Sequence, residues 1–455
     1  MNLFLDIETR SVADLKKVGA YAYAEHASTE ITHVGYALDP DGPLQCWIPP
    51  RSTMPDTSGI DVMTQTIDGK PVHVFGGDMP LDLAAAIHDP TCRRVAHNAA
   101  FEVTQLSDVP GARLGIPCQR DRSLWDCTAA WAARLGLPRT LDGAAAALML
   151  GTRKDKDGHA LMLKMCKPRK LRKAEIKARE EYARREAGRP GWTPAPDIVW
   201  HETPEQIIRE AAYCAHDVAV EIALWRVLPC LSPFERRVWE LTERMNDAGV
   251  PVDLQLLGAM LGIIEDAESR LDADISEATG GAVPRVTDHM ALTRWLVANG
   301  IDDDPESDWT AKTGVGKAAI AALLENPDIP AAIRNVLVLR RDGGGTSSKK
   351  YRAILARLSR DGRIRGTMVY CGAAATGRWS SRGAQLQNLS RGGQIKDGDD
   401  RPIDALPMIR DILAGATAAE IESMYGPALV VAAECLRPLF AEPDNDNAEL
   451  MEFAA

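Results

Sequence analysis

The 455-residue sequence contains no apolar run of membrane-spanning length, and its N-terminus shows no charged stretch followed by an apolar core. Neither a spanning helix nor export is indicated, and the chain is expected in the cytoplasm without a membrane partner. It also lacks any C-x-x-C pair. Its nine cysteines are scattered and odd in number, which argues against a disulfide framework or a zinc finger and suits a reducing compartment. Nor is there an excess of positive charge: the net charge is −11. The bulk basic balance that usually marks nucleic-acid binding is therefore missing, so such binding would need local basic residues or metal ions. What is present, 45% hydrophobic and 26% charged residues, is the composition of a soluble globular protein with room for two or three domains.

The first informative stretch is Leu3-Phe4-Leu5-Asp6-Ile7-Glu8. Apolar residues leading into Asp-x-Glu read as the end of a buried strand. Alternation on a strand puts Asp6 and Glu8 on one face and Ile7 on the other. Two adjacent carboxylates repel each other, and a shared hard cation such as Mg²⁺ or Mn²⁺ removes that cost. The alternative is a strand end with two solvated acids.

Further along, Ile31 to Asp39, Pro43 to Ile48 and Arg93 to Asn98 read as strands, and Leu81 to Ile87, Ala99 onward and Asp126 to Leu135 as helices. This alternation predicts an α/β layer architecture. Thr140 or Asp142 is placed to cap an Ala-rich helix. The basic run Lys164 to Arg189 carries Glu175–Arg179, Glu180–Arg184 and Glu181–Arg185 at helical spacing, a solvated helix with ion pairs. Glu205 to Val227 is a long helix, followed by a Leu-Ser-Pro break and an amphipathic helix from Phe234 to Ala248. From Leu254 to about Leu358 nearly everything is helical.

Within the first half, acidic residues recur where a strand gives way to a helix and along a helix face. Asn98-Ala-Ala-Phe101-Glu102 places a carboxylate on a first helical turn, and Tyr213-Cys-Ala-His216-Asp217 puts a phenol and a carboxylate four apart, on one face. Asp6, Glu8, Glu102 and Asp217 with Tyr213 form the inventory that phosphodiester cleavage with two cations requires. His97 and His216 adjoin these motifs but read as structural.

In this order and spacing, Asp6-x-Glu8, Asn98-x-x-Phe101-Glu102 and Tyr213-x-x-x-Asp217 resemble the three motifs of the DEDD 3′→5′ exonucleases, in the tyrosine subclass that proofreads in DNA polymerases. The resemblance implies a ribonuclease-H-like fold and two divalent cations, Mg²⁺ or Mn²⁺. Asp6, Glu8 and Asp217 would surround the first and Asp6 with Glu102 the second, with Tyr213 orienting the attacking water. Asn98 and Phe101 would meet the single-stranded DNA end. Glu102 departs from the family, which carries Asp there.

The second half resembles family A DNA polymerases, phage ones especially. Phe234-Glu-Arg-Arg, Met245-Asn-Asp-Ala-Gly249-Val-Pro-Val-Asp253, Thr376-Gly-Arg-Trp-Ser-Ser381 and Leu386-Gln-Asn-Leu389 carry the likeness. It makes Arg378, Gln387 and Asn388 candidate contacts to primer–template DNA, and implies a bacterial host's cytoplasm. Beyond Cys435-Leu-Arg-Pro-Leu-Phe440 the family's catalytic palm carboxylates and fingers are expected but not met. The expectation is therefore an exonuclease domain over 1–228, a mostly helical thumb and first palm segment over 229–440, and an acidic tail over 441–455. The alternative is a DNA-binding subunit of a split polymerase, docking a separate palm–fingers polypeptide through the apolar stretch Gly426 to Phe440.

Overall fold

The computed structural model describes residues 1–50, 57–67, 70–186, 198–301, 313–344, 347–389 and 392–440. The acidic tail expected over 441–455 lies outside them. The protein is mixed α/β and divides into two compact units. The first comprises Met1–Gly249 and Arg365–Arg382, and the second Val250–Ile364 with the chain after Gly383. The division falls at Gly249, about twenty residues beyond the break expected at Leu228 to Pro233, because helix Pro233–Ala248 is fastened to the first unit. Asp247 at its end accepts from Tyr21 Oη at 2.7 Å and from Arg120 and Arg122, each at 2.9 Å.

The first unit is built on seven strands: β1 (Asn2–Arg10), β2 (Glu30–Ala37), β3 (Leu44–Ile48), β4 (Asp61–Ile67), β5 (Lys70–Gly76), β6 (Arg93–Ala96) and β7 (Trp125–Cys127). Their order across the sheet is β4-β5-β3-β2-β1-β6-β7. β1 runs antiparallel to β2 and parallel to β6, and β6 is parallel to β7. Asp126 and Cys127, expected to begin a helix, instead pair with Val95 and Ala96, and the helix starts at Thr128. The Arg93 guanidinium grips Asp126 through two nitrogens, at 2.8 and 2.9 Å, and holds that edge.

Strand alternation sends Leu3, Leu5 and Ile7 into one core, shared with helices Leu81–His88 and Ala100–Ser107. Phe4 points the other way, into a core shared with helix Pro204–Val227. Asp6 and Glu8 follow Phe4 at intervals of two, on the side of that long helix. Opposite Asp6 across the β1–β2 ladder stands Gly35. A side-chain carbon there would sit 2.9 Å from the Cys214 carbonyl, so glycine is what lets the helix backbone approach the strand.

Elsewhere the sequence expectations meet local corrections. Thr140 caps helix Leu141–Ala147 by accepting from Gly143 N, while Asp142 pairs with Arg153. In the basic run, Glu175 is gripped by Arg169 at 2.7 Å; Arg184 and Arg185 have side chains outside the described residues.

The second unit is helical, with helix Leu254–Ala278 against the helices that follow and two short antiparallel strands, Val250–Pro251 and Arg363–Ile364. On the alternative of a split polymerase, Gly426 to Phe440 would present an open apolar surface. Its Leu429, Val431, Leu436 and Leu439 are instead buried in this unit's own core, where the long helix covers them. Among the described residues no helix is long and apolar enough to cross a membrane.

Candidate active site

Three elements of the first unit supply the four carboxylates. β1 carries Asp6 and Glu8, helix Ala100–Ser107 carries Glu102 on its first turn, and helix Pro204–Val227 carries Asp217. Thr203 caps that last helix in a reciprocal box with Gln206. Glu102 and Asp217 are each 3% exposed. Oxygens of Asp6 and Glu8 and the Cys214 sulfur lie within 4.8 Å of one another, and Cys214 Sγ donates to the Asp6 carbonyl at 3.3 Å.

Burial and mutual repulsion set the protonation of the cluster. Burial, then the charge of Asp217, pushes the Asp6 carboxyl up to about 7. Glu8 is raised well above the ordinary range by burial, then by Asp6, Glu210 and Asp217. Burial and then Asp6 raise Glu102. Burial, with the charges of Glu8, Asp217 and Asp6, pushes the Tyr213 hydroxyl far up, so it remains a phenol and a hydrogen-bond donor. Glu102 Oε2 and Asp217 Oδ1 are buried with no hydrogen-bond partner among the described residues. Buried carboxylate oxygens of this kind are costly unless a proton or a cation meets them. Hard divalent cations fit this donor set, which is all oxygen apart from Cys214 at its edge.

Tyr213 is fully buried, and His159 Nδ1 lies 3.3 Å from its hydroxyl. Asn98, in the turn between β6 and its helix, has a left-handed backbone (φ 77°), a conformation that asparagine tolerates better than most residues. Phe101 is half-buried against the first core. Arg378 and the exposed Gln387 and Asn388 stand on other elements. Arg378 projects from a hairpin, Met368–Ala373 with Arg378–Ser381, in the first unit. Gln387 and Asn388 form a short 3₁₀ turn in the second, where Lys350 Nζ donates to the Asn388 carbonyl at 2.8 Å. His97 is bonded to Thr128 and to the Arg139 carbonyl, with burial pushing it down to about 4, and His216 is bonded to the Arg153 carbonyl.

Three site residues were not found by sequence reasoning. Glu221 is 1% exposed, its Oε1 has no partner among the described residues, and burial with Asp6, Glu102 and Asp217 raises it. Its signal was present: a lone carboxylate in an apolar run, four after Asp217. Glu210 meets His33 at 3.3 Å, both buried. Lys154 pairs with Asp217 at 2.7 Å, a contact that no local pattern announces.

No family model matches the chain. Over 458 residues, which take in all of this chain and 60% of the relative, it is 30% identical to the DNA polymerase of Bacillus phage SP02. The chain thus spans about 60% of that relative's length. It also aligns with a solved POL domain of Pol1 from M. smegmatis in complex with DNA primer-template and dNTP. There the identity is 19% and the TM-score 0.40, over 84% of this chain and 52% of that one.

Proposed function

We propose that the first unit is a ribonuclease-H-like, metal-dependent 3′→5′ exonuclease, the proofreading part of a family A DNA polymerase. The observation that carries this reading is the group formed by half-buried Asp6 with buried Glu8, Glu102 and Asp217, in which the Tyr213 phenol feels Glu8, Asp217 and Asp6 and the Glu102 and Asp217 carboxylates have orphaned oxygens. The similarity of this chain to 60% of a phage DNA polymerase supports it.

Asp6, Glu8 and Asp217 would hold one divalent cation and Asp6 with Glu102 the other. Such cations supply Lewis acidity and charge neutralisation for phosphodiester hydrolysis. The chain's own residues do the rest. The Tyr213 hydroxyl, kept protonated, donates a hydrogen bond that orients water. Cys214 and Gly35 set how close Asp217's helix comes to β1. Glu102 reaches from a longer side chain than the Asp of the resembling family, which changes the reach of the second ligand set. Asn98 and Phe101 would grip the single-stranded end through polar contact and stacking, and Arg378, Gln387 and Asn388 the primer–template.

The test is degradation of a 5′-labelled DNA primer with an unpaired 3′ tail, in Mg²⁺, in Mn²⁺ and in EDTA, beside the Asp6→Ala/Glu8→Ala double variant. A cation-dependent ladder, lost in the variant and in EDTA, supports the reading. An uncut primer in both cations refutes it and leaves a DNA-binding subunit that docks a separate polymerase polypeptide.

A further inference from the structure

Three consecutive residues in the loop before helix Lys156–Met165 are fastened to the helix that carries Asp217. The Arg153 carbonyl accepts from His216 Nε2 at 2.6 Å, and Asp155 pairs with Arg209. Between these two anchors, Lys154 Nζ stands 2.7 Å from Asp217 Oδ2. The same ammonium lies 5.2 Å from the centre of the Tyr213 ring, and its charge reaches Asp6 and Glu8. Its side chain is 23% exposed, shielded enough for its charge to count and open enough to turn away. A lysine ammonium is a compact point charge on a flexible stem. Here the backbone on either side is pinned while the stem can swing.

We infer that Lys154 holds the cation's place at Asp217 and then serves the substrate. Before a cation binds, its ammonium neutralises Asp217. When a cation takes that carboxylate, like-charge repulsion drives the ammonium off. The anchored loop keeps it at the mouth of the site, where the anion newly present is the phosphodiester. Lys154 thus competes with the metal for Asp217 and binds the non-bridging oxygens of the scissile phosphate. This rests on the exonuclease reading above, and it assigns a role to a residue outside the three motifs.

The test measures binding rather than turnover. Mn²⁺ affinity of the full chain is read by electron paramagnetic resonance for wild type, Lys154→Met, Lys154→Arg and the Asp6→Ala/Glu8→Ala control. Thymidine 5′-monophosphate binding in saturating Mn²⁺ is then read by calorimetry. Lys154→Met is expected to bind Mn²⁺ roughly tenfold more tightly, the effect of removing one like charge at a part-buried site. It is also expected to bind the nucleotide roughly tenfold more weakly, having lost a charge-assisted contact. Lys154→Arg keeps the charge and should bind Mn²⁺ as wild type does. Unchanged or weaker Mn²⁺ binding in Lys154→Met, tighter binding in Lys154→Arg, or undiminished nucleotide binding in Lys154→Met each overturns the inference. Mn²⁺ binding by the double variant equal to wild type instead places the cation elsewhere, which refutes the exonuclease reading and this inference with it.

Discussion

Replacing Asp6 by Asn should make the protein more stable in EDTA at pH 8 while it destroys the site. The Asp6 carboxyl sits at about 7 against an ordinary value of 3.8. A raised acid binds its proton more tightly in the folded state than in the unfolded chain. Stability therefore falls as pH rises from about 4 to about 7, and above 7 the full cost is present. About three pH units at 1.4 kcal/mol each set a ceiling of roughly 4 kcal/mol. Asparagine has nearly the same shape and no charge, and it also relieves Glu8 and Glu102, which Asp6 repels. We expect a gain of about 1–4 kcal/mol at pH 8 that vanishes near pH 4. Urea unfolding followed by circular dichroism at both pH values measures it, urea being uncharged and so leaving the electrostatics unscreened. A variant no more stable than wild type at pH 8, or equally stabilised at pH 4, refutes the argument that charge repulsion dominates this cluster.

Two further outcomes follow from contacts elsewhere in the first unit. Asp247→Ala leaves the Arg122 guanidinium, 2% exposed, without its partner, and should cost about 3–5 kcal/mol in unfolding free energy. Gly158→Ala would put a carbon 2.6 Å from the Tyr213 ring. It should lower turnover in the proposed exonuclease reaction by up to ~100-fold through misplacement of the phenol, with Mn²⁺ affinity by paramagnetic resonance unchanged.

Much of this arrangement was legible in the sequence because it is local. Strand β1, the turn at Asn98 and the long helix declare themselves through apolar periodicity and caps, and they carry all four motif carboxylates. What stayed hidden depends on neighbours or on weak patterns. β4 lies at the sheet edge, where Met63 is exposed and polar residues interrupt the alternation, although the Asp68-Gly69 pair in the sequence is a hairpin signal. Helix Leu15–Glu25 is broken by Gly19 at φ 78°, and β7 is only three residues long. Lys154 reaches Asp217 across 63 positions of chain, a pairing that only the folded loop creates. The segment Gly426 to Phe440 misled because apolar composition does not say whether a partner or the unit itself covers it.

The hairpin at Met368–Ser381 gives the first unit an unusual history during synthesis. Its Tyr370 and Cys371 belong to the same core as Leu3, Leu5 and Ile7, and the Asn246 side chain exchanges two 2.9 Å bonds with the Met368 backbone. Between Gly249 and Arg365 the ribosome must add about 115 residues that belong to the other unit. At roughly 5–20 residues per second this takes about 6–23 s. Throughout that interval the nascent first unit carries a gap in its core where Tyr370 will later lie. Its last step is the closing of a long loop by residues from far downstream, so a nascent chain halted before Arg365 should be cut by protease far faster than the finished protein.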